Sequence, residues 1–423
     1  MKKLLFLLIT LFLVCVSLAA CGGDGEVTTI YVYNWGEYIS DGSEGSLDVN
    51  KAFEEWYFET HGKRVKVNYS TYSSNEDMYT KLSSGATKYD IVVPSDYMIA
   101  RMIDEGMLRK LNFENIPNAV YIDSELLFGG EAPYYDATGA YSVPYTYGTI
   151  GIIYNQTMLS EEDIAKIEAG EGSWGIMWDS AYQGNILQFN NSRDAFATAL
   201  YYKGYSVNTE DEAQWREALE LLKVQKEIVQ GYVMDEIFNK MENGSAAIAP
   251  YYAGDFFTMY ADNEDLAFFY PTEGTNIFVD AMCVPTGSQN PEIAEAYINF
   301  MMSEESAVAN AEYMCYASPH TAVRTNEEYI TSMSEVHEDW ENILYGFADV
   351  YRDGKRPEPY ENLTEGQLTL LNELWEELKI ESTIGGAIIA TAFVIVGGCT
   401  AAGVFFAVRR RKRRRIVSTL WDN

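Results

Sequence analysis

Histidine and cysteine are scarce in this chain, which has three His and five Cys among its 423 residues. His61, His320 and His337 are scattered, and neither a CxxC nor an HExxH motif occurs, so no spacing typical of metal ligands is present. The G-x-S-x-G motif of many serine hydrolases is also absent. We therefore expect that the protein binds no metal or cofactor and is not an enzyme.

Basic residues are also few, with 30 Lys and Arg against 63 Asp and Glu and a net charge of -33. This balance excludes nucleic acid as a partner, because phosphate binding needs a basic surface. Nine of the basic residues lie at the ends of the chain, at Lys2, Lys3 and residues 409–415. Residues 21–408 hold 21 basic and 62 acidic residues, a net charge of -41. With 14% aromatic residues, this acidic body is predicted to be globular rather than disordered.

The N-terminal segment is predicted to be a lipoprotein signal peptide, residues 1–20. It has a short basic start and a long apolar run, and Leu18-Ala19-Ala20-Cys21 resembles the bacterial lipobox, which implies acylation of Cys21. Residues 21–27 would form a glycine-rich tether. The alternative is that Cys21 is an incidental cysteine beside an ordinary cleavage site.

The C-terminal segment is predicted to cross the membrane. Residues 384–408 carry no charge over 25 positions, more than the roughly 20 that a spanning helix needs. The RRRKRRR run that follows fits the cytoplasmic flank, so residues 409–423 are expected to be a basic cytoplasmic tail. The body of the protein would then lie on the extracytoplasmic side, held by the lipid and by the transmembrane helix. A buried helix of a soluble core is the alternative.

The cysteines leave one pairing open. Cys15 lies in the predicted signal, and Cys399 lies in the predicted span. Cys283 and Cys315 remain in the exported body, where a disulfide and two free, buried thiols are both compatible with the sequence.

The body alternates apolar β-branched runs with amphipathic segments, which predicts an α/β fold with mainly parallel strands. About 360 residues are too many for one ordinary core, so two domains are expected. The predicted strands are 29–33, 64–70, 90–94, 148–154 and 184–189, and the predicted helices are 47–60, 75–84, 97–105, 192–203 and 211–230.

Aromatic and acidic residues stand together directly after several predicted strands. Ligands of open α/β sheets bind at the carboxyl ends of strands, so these segments are well placed to share one site. Aromatic faces attract ammonium groups, and carboxylates accept charge-assisted hydrogen bonds from them. The combination predicts a site for an organic cation. The segments are 35–38, 95–97, 190–194, 251–255 and 278–280.

The chain resembles the spermidine/putrescine-binding proteins of bacterial ABC importers over about residues 28–380. Four segments carry the resemblance in order and spacing: YNWGEY (33–38), STYSSNEDMYTKL (70–82), YDIVVPSDY (89–97), and YSVPY (141–145) with Gly148 behind it. The resemblance implies a two-lobed, type II periplasmic-binding-protein fold that closes on its ligand by a hinge, with lobe crossings near Tyr147, Ile277 and Arg324. Residues 28–147 and 278–324 would form lobe 1, and residues 148–277 and 325–380 would form lobe 2.

The same resemblance implies the ligand-binding residues. Asp194, Asp255 and Asp280 would pair with protonated amines, while aromatic rings would enclose the methylene chain between them. The predicted ligand-binding residues are Trp35, Glu37, Tyr38, Ser95, Tyr97, Asp194, Tyr252, Asp255, Phe278, Asp280 and Tyr316. On composition alone, Asp194 could instead serve the dipole of a helix N-terminus, whereas Asp280 lies in an apolar run where an unpaired acid would be costly.

Departures from the family pattern leave the polyamine open. Asn191 stands where the spermidine branch usually has an acid, Gly36 replaces a side chain that is often a hydroxyl, and the segment 252–255 looks like that of the putrescine branch. The resemblance thus implies a protein that delivers putrescine or spermidine to an ABC permease. A polyamine-sensing ectodomain that signals through a partner membrane protein is the alternative.

Overall fold

The computed structural model describes residues 27–124, 127, 132–346 and 357–380. The strands are β1 (Thr28–Trp35), β2 (Val65–Tyr72), β3 (Ile91–Val92), β4 (Ser142–Asn155), β5 (Ile186–Phe189), β6 (Val229–Val233), β7 (Ile248–Tyr252), β8 (Leu266–Phe269), β9 (Asn276–Cys283) and β10 (Glu358–Pro359). The α-helices are α1 (Val49–His61), α2 (Asn75–Ser83), α3 (Asp96–Asp104), α4 (Glu161–Glu168), α5 (Ser192–Tyr202), α6 (Glu212–Lys226), α7 (Glu236–Glu242), α8 (Ala253–Asp262), α9 (Pro291–Met301), α10 (Glu304–Met314), α11 (Glu327–Val336), α12 (Trp340–Tyr345) and α13 (residues 365–380). Short 3-10 turns cover Ser43–Gly45, Phe113–Asn115, Pro117–Tyr121, Trp174–Trp178, Ser180–Tyr182 and Val323–Thr325.

Local signals in the sequence account for most of these elements. In α1, the Asp48 side chain accepts a hydrogen bond from the Lys51 amide, and Gly62 ends the helix in the left-handed conformation with φ 67°. The predicted helix at 211–230 is wrong at its C-terminal end. The helix stops at Lys226, because Val229 already pairs with Ile186 of the neighbouring strand.

The strands form one mixed sheet in the order β2-β1-β3-β9-β4-β7-β5-β6, with β10 beside β9 and β8 beside β4. The outer strands pair in parallel on both sides, as predicted. In the centre, β4 and β9 pair antiparallel with each other, β4 also pairs antiparallel with β7, and β9 also pairs antiparallel with β3. β4 has 14 residues, all buried, and its first half pairs with β9 while its second half pairs with β7 and β8. The sheet therefore divides into two groups of parallel strands joined by β4 and β9.

Two of the predicted lobe crossings, Tyr147 and Ile277, lie in these joining strands, and the third, Arg324, lies in a 3-10 turn. One cluster of buried apolar side chains is formed around α1, α9 and the strands β1 and β2, and a larger cluster extends through the other strand group. The exact residue limits of the two lobes stay a prediction.

One part of the predicted fold class is corrected. No helix among the described residues is long and apolar enough to cross a membrane, so the described architecture is an α/β body without a spanning helix. The segment that the sequence assigns to the span, residues 384–408, lies outside the described residues, as do the predicted signal peptide, Cys21 and the basic tail. Cys283 and Cys315 are buried and free, which decides the pairing that the sequence left open.

Candidate functional site

A cavity of about 90 Å³ lies where the two strand groups face each other, and all eleven residues predicted to bind a ligand line it. A single water needs only about 10–15 Å³ of such space, so the cavity has room for a small ligand. The lining residues come from strand ends and the turns after them. Trp35 ends β1, Ser95 precedes α3, and Tyr252 ends β7. This placement confirms that carboxyl-end turns of different strands meet in one place.

Asp280 lies in the middle of β9 and is only 3% exposed. Its Oδ2 accepts a hydrogen bond from the Tyr38 hydroxyl at 2.7 Å, and Tyr38 lies in turn 2.6 Å from the hydroxyl oxygen of Thr146. Its Oδ1 is buried without a hydrogen-bond partner among the described residues. Burial raises the pKa of Asp280 to about 6, although the hydroxyls of Ser95 and Tyr38 lower it. One oxygen of this carboxylate is therefore left for a donor that the described residues do not provide.

Asp255 lies in the first turn of α8 and accepts a hydrogen bond from the Tyr316 hydroxyl at 2.9 Å. Burial raises its pKa to about 7, the Tyr316 hydroxyl opposes this rise, and the nearby acids Asp235 and Glu37 add to it. Gly254 makes this arrangement possible, because a Cβ at that position would lie 2.4 Å from the Tyr316 ring. A cation beside Asp255 would relieve the mutual repulsion of these acids.

Asp194 differs from the other two acids because the protein satisfies both of its oxygens. Its Oδ2 accepts from the Tyr252 hydroxyl at 2.7 Å and from Asn191 Nδ2 at 2.5 Å, and its Oδ1 accepts from the Tyr360 hydroxyl at 2.8 Å. Burial raises the pKa of Asp194, while these hydrogen bonds and the neighbouring Arg193 oppose the rise. Asp194 thus holds two aromatic side chains of the cavity wall in place.

Aromatic rings form the walls between the acids. Phe278 lies 5.4 Å from the ring of Tyr252, and Tyr316 lies 5.1 Å from the ring of Tyr38, both nearly perpendicular. Trp35 is fixed by a hydrogen bond from its Nε1 to the carbonyl of Val93 at 3.0 Å. These rings are held by packing, so their faces are in position before any ligand arrives.

The remaining predicted residues, Glu37, Ser95 and Tyr97, differ in exposure. Glu37 is exposed, and its left-handed backbone, φ 50°, turns the chain directly after β1 so that the residues on either side of it reach the cavity. The Ser95 hydroxyl accepts a hydrogen bond from Asn75 Nδ2 at 3.0 Å, and the Tyr97 hydroxyl donates to Glu76 at 3.0 Å. Both side chains are thus anchored to α2.

Sequence reasoning missed several residues of the cavity. Tyr360 reaches Asp194 from the segment after β10, far along the chain, and no local pattern indicated it. Asn75 lies in the segment 70–82 and Arg193 in the segment 190–194, but neither segment by itself indicates a role for these two residues. The cavity residues absent from the predicted set are Gly36, Tyr72, Ser73, Asn75, Asn191, Arg193, Met234, Asp235, Phe238, Tyr251, Asn276 and Tyr360.

The chemistry of the cavity suits an elongated organic cation. Five acids line it, against a single basic residue among the described lining residues. Carboxylates can accept hydrogen bonds from ammonium groups, and the rings can cover methylene groups and attract the adjacent positive charge. No cluster of metal-ligating side chains is present in the part of the chain that the structure describes.

Comparison with known proteins identifies the same class of binding protein. Residues 49–339 match the family model of the bacterial extracellular solute-binding proteins. A spermidine/putrescine-binding periplasmic protein of Salmonella typhimurium is 32% identical over 309 residues, which cover 72% of this chain and 81% of that protein. A putrescine/cadaverine-binding protein of Pseudomonas aeruginosa is 25% identical over 395 residues, 90% of this chain and 99% of that protein.

Solved structures agree with the observed architecture. A putative spermidine/putrescine ABC transporter protein from Listeria monocytogenes superposes with a TM-score of 0.68 at 32% sequence identity, covering 84% of this chain and 99% of that one. The two-lobed α/β periplasmic-binding fold expected from the sequence is therefore supported.

Proposed function

Because the chain belongs to the bacterial extracellular solute-binding proteins, we propose that it binds putrescine or spermidine outside the cytoplasm and delivers it to an ABC permease. The relatives whose names include these polyamines support the ligand class. The composition of the cavity supports it independently, since five acids and several aromatic side chains line it together.

The free Oδ1 of Asp280 is the observation that carries this proposal. A buried carboxylate oxygen without a donor is costly, and it is rare in folded proteins unless a ligand completes it. An ammonium group placed there would donate a hydrogen bond to Oδ1 and contact the neighbouring aromatic rings, while the Tyr38 hydroxyl already donates to the other oxygen. The ligand would thus supply a donor that the described residues do not offer.

The second ammonium group is proposed to lie at Asp255, with Glu37 and Asp235 nearby. Trp35, Tyr97, Tyr252, Phe278 and Tyr316 would enclose the methylene chain. Asn75 of α2 donates hydrogen bonds to both Ser95 and Tyr97 and so holds this side of the site in place. Each ring face near an ammonium group contributes about 0.5–2 kcal/mol. Transport rather than turnover is the role that the family implies.

Acylation of Cys21 and contact with the permease subunits of an ABC importer are also parts of this proposal. Both rest on the sequence resemblance alone. No observation on the described residues favours the alternative role as a sensing ectodomain.

Titration calorimetry on the purified protein tests the function. We expect putrescine or spermidine to bind at a single site with micromolar or tighter affinity, and n-butylamine, which has the chain length of putrescine but one amine, to bind at least 100-fold more weakly. A lack of heat from both polyamines at micromolar protein would contradict the proposal. Equal affinity for n-butylamine would show that the second carboxylate has no partner in the ligand.

A further inference from the structure

A further buried acid, Asp96, lies beside the strand that carries Asp280. It is the first residue of α3, and its side chain is fully buried. Its neighbours Ser95 and Tyr97 line the cavity, but Asp96 itself does not. Burial of a carboxylate is costly unless hydrogen bonds compensate for the lost water. The hydrogen bonds of Asp96 therefore indicate what its burial achieves.

The carboxylate of Asp96 joins three parts of the fold. Its Oδ1 accepts a hydrogen bond from the Tyr97 amide of the same helix at 2.7 Å. Its Oδ2 accepts one from the Val279 amide of β9 at 3.3 Å and another from the hydroxyl of Tyr134, in the segment before β4. Burial raises the pKa of Asp96 to about 7, and the charge of Asp280 adds to the rise, while these three donors oppose it.

The bond to Val279 fixes β9 at the residue directly before Asp280. On the other side of Asp280, the Ala281 amide donates to the Pro94 carbonyl at 3.1 Å. The backbone of β9 is thus bonded on both sides of Asp280 to the segment that joins β3 to α3. One of these two bonds comes from a side chain, that of Asp96, so a substitution can remove it.

We propose that Asp96 is a positioning residue for the ligand, because its hold on the Val279 amide directs the Asp280 carboxylate toward an ammonium group. This inference rests on the proposed polyamine-binding function. Asp96 does not contact the ligand, so its effect on affinity passes through Asp280. The Tyr38 hydroxyl donates to only one oxygen of Asp280, and the direction of the other oxygen depends on the backbone of β9.

The test is a double-mutant cycle on the affinities for putrescine and spermidine, measured by calorimetry for the wild type, Asp96→Asn, Asp280→Asn and the variant with both changes. An Asn cannot accept from all three donors of Asp96, because its amide nitrogen is itself a donor. We expect Asp96→Asn to weaken binding about tenfold in the wild-type background and less than about twofold in the Asp280→Asn background. Equal losses in the two backgrounds, or no loss in either, would overturn the inference.

The pH profile of binding gives a readout that a general loss of stability would not move. The titratable groups that face Asp96 are Asp280 from β9, and Tyr134 and Tyr135 from the segment before β4. Two neighbouring carboxylates raise each other's pKa, so removal of the Asp96 charge should lower the pKa of Asp280. The rise of affinity with pH should then shift to lower pH in Asp96→Asn. An unchanged profile would overturn the inference that Asp96 acts on Asp280.

Asp136→Asn is the matched control. Asp136 is also buried, lies outside the cavity lining, and accepts hydrogen bonds from the Tyr141 amide at 2.7 Å and the Ser142 hydroxyl at 3.2 Å. This variant should be less stable than the wild type and keep its affinity and pH profile. An affinity loss equal to that of Asp96→Asn would overturn the inference.

If Asp96→Asn does not fold, Asp96→Ser takes its place in the cycle with the same expected outcomes. Ser also removes the carboxylate, and it is well tolerated at the start of a helix. Binding of neither polyamine by the wild type would instead contradict the proposed function and leave the two failures distinguishable.

Discussion

Asp194 and Asp280 are the same residue type in the same cavity and are buried to nearly the same extent, 4% and 3% exposed, yet they differ in what surrounds them. Asp194 receives three side-chain hydrogen bonds and faces Arg193. Asp280 receives one from Tyr38, and its buried Oδ1 accepts none from the described residues, although the Ser95 hydroxyl lies near enough to lower its pKa. The comparison shows that two acids buried to the same extent can differ in how completely the described residues satisfy their hydrogen-bonding positions.

Asp280→Asn should have the largest effect. The change keeps the shape but removes the charge, and we expect polyamine affinity to fall about 100-fold, or about 3 kcal/mol, because a buried ammonium group loses its ionic partner. Calorimetry measures the loss. In the absence of ligand, the same variant should melt at a higher temperature than the wild type, since a buried, poorly satisfied charge is gone.

Asp90→Asn is the matched control for Asp280→Asn. Asp90 is also buried, but it accepts hydrogen bonds from Tyr31, Ser288 and Asn290 outside the cavity. The Asp90→Asn variant should have a lower melting temperature than the wild type and the same polyamine affinity. A similar affinity loss in both variants would show that the Asp280 effect is structural.

The pH dependence of binding should follow Asp280 and Asp255, whose pKa values are raised to about 6 and about 7. Because the neutral forms are favoured in the ligand-free protein, these groups stabilise the fold below about pH 4 and lose that contribution as pH rises through 6 to 7. A bound ammonium group needs the ionised forms, so affinity should increase at least tenfold from pH 5 to pH 8. Proton release on binding at pH 6, measured in two buffers with different ionisation heats, checks the mechanism, and its absence would contradict it.

Asp194→Asn should affect stability more than binding. Three donors lose their charged acceptor, so we expect the free energy of unfolding to fall by about 1–3 kcal/mol, measured by thermal or denaturant unfolding. Polyamine affinity should change less than fivefold. An affinity loss as large as that of Asp280→Asn would show that the two acids play the same role and would break the comparison.

Tyr360→Phe should have the smallest effect. It removes one hydrogen bond to Asp194 and keeps the ring under Arg193, so a stability loss of about 0.5–1.5 kcal/mol is expected with little change in affinity. A loss of binding greater than tenfold would mean that Tyr360 contacts the ligand through its hydroxyl.

Much of the site could be predicted because its residues follow strands in short, recognisable segments. Trp35 and Tyr38 surround the turn after β1, and Tyr252 and Asp255 surround the start of α8, so local pattern and family resemblance located both pairs. Tyr360 could not be found this way, since it reaches Asp194 from 166 positions along the chain. Arg193 lies within one of these segments, but its contacts with the rings of Tyr97 and Tyr360 depend on other elements of the fold.

The sequence by itself determined the α/β pattern, the acidic character of the body and the aromatic and acidic turns, because these depend on periodicity, composition and the residues next to strand ends. Only the tertiary structure decided that the central pair of strands is antiparallel and that Cys283 and Cys315 are free. It also decided which acids are already satisfied. Hydrogen-bond saturation depends on donors that arrive from distant parts of the chain, so Asp194 and Asp280 look alike in the sequence and differ only once the chain is folded.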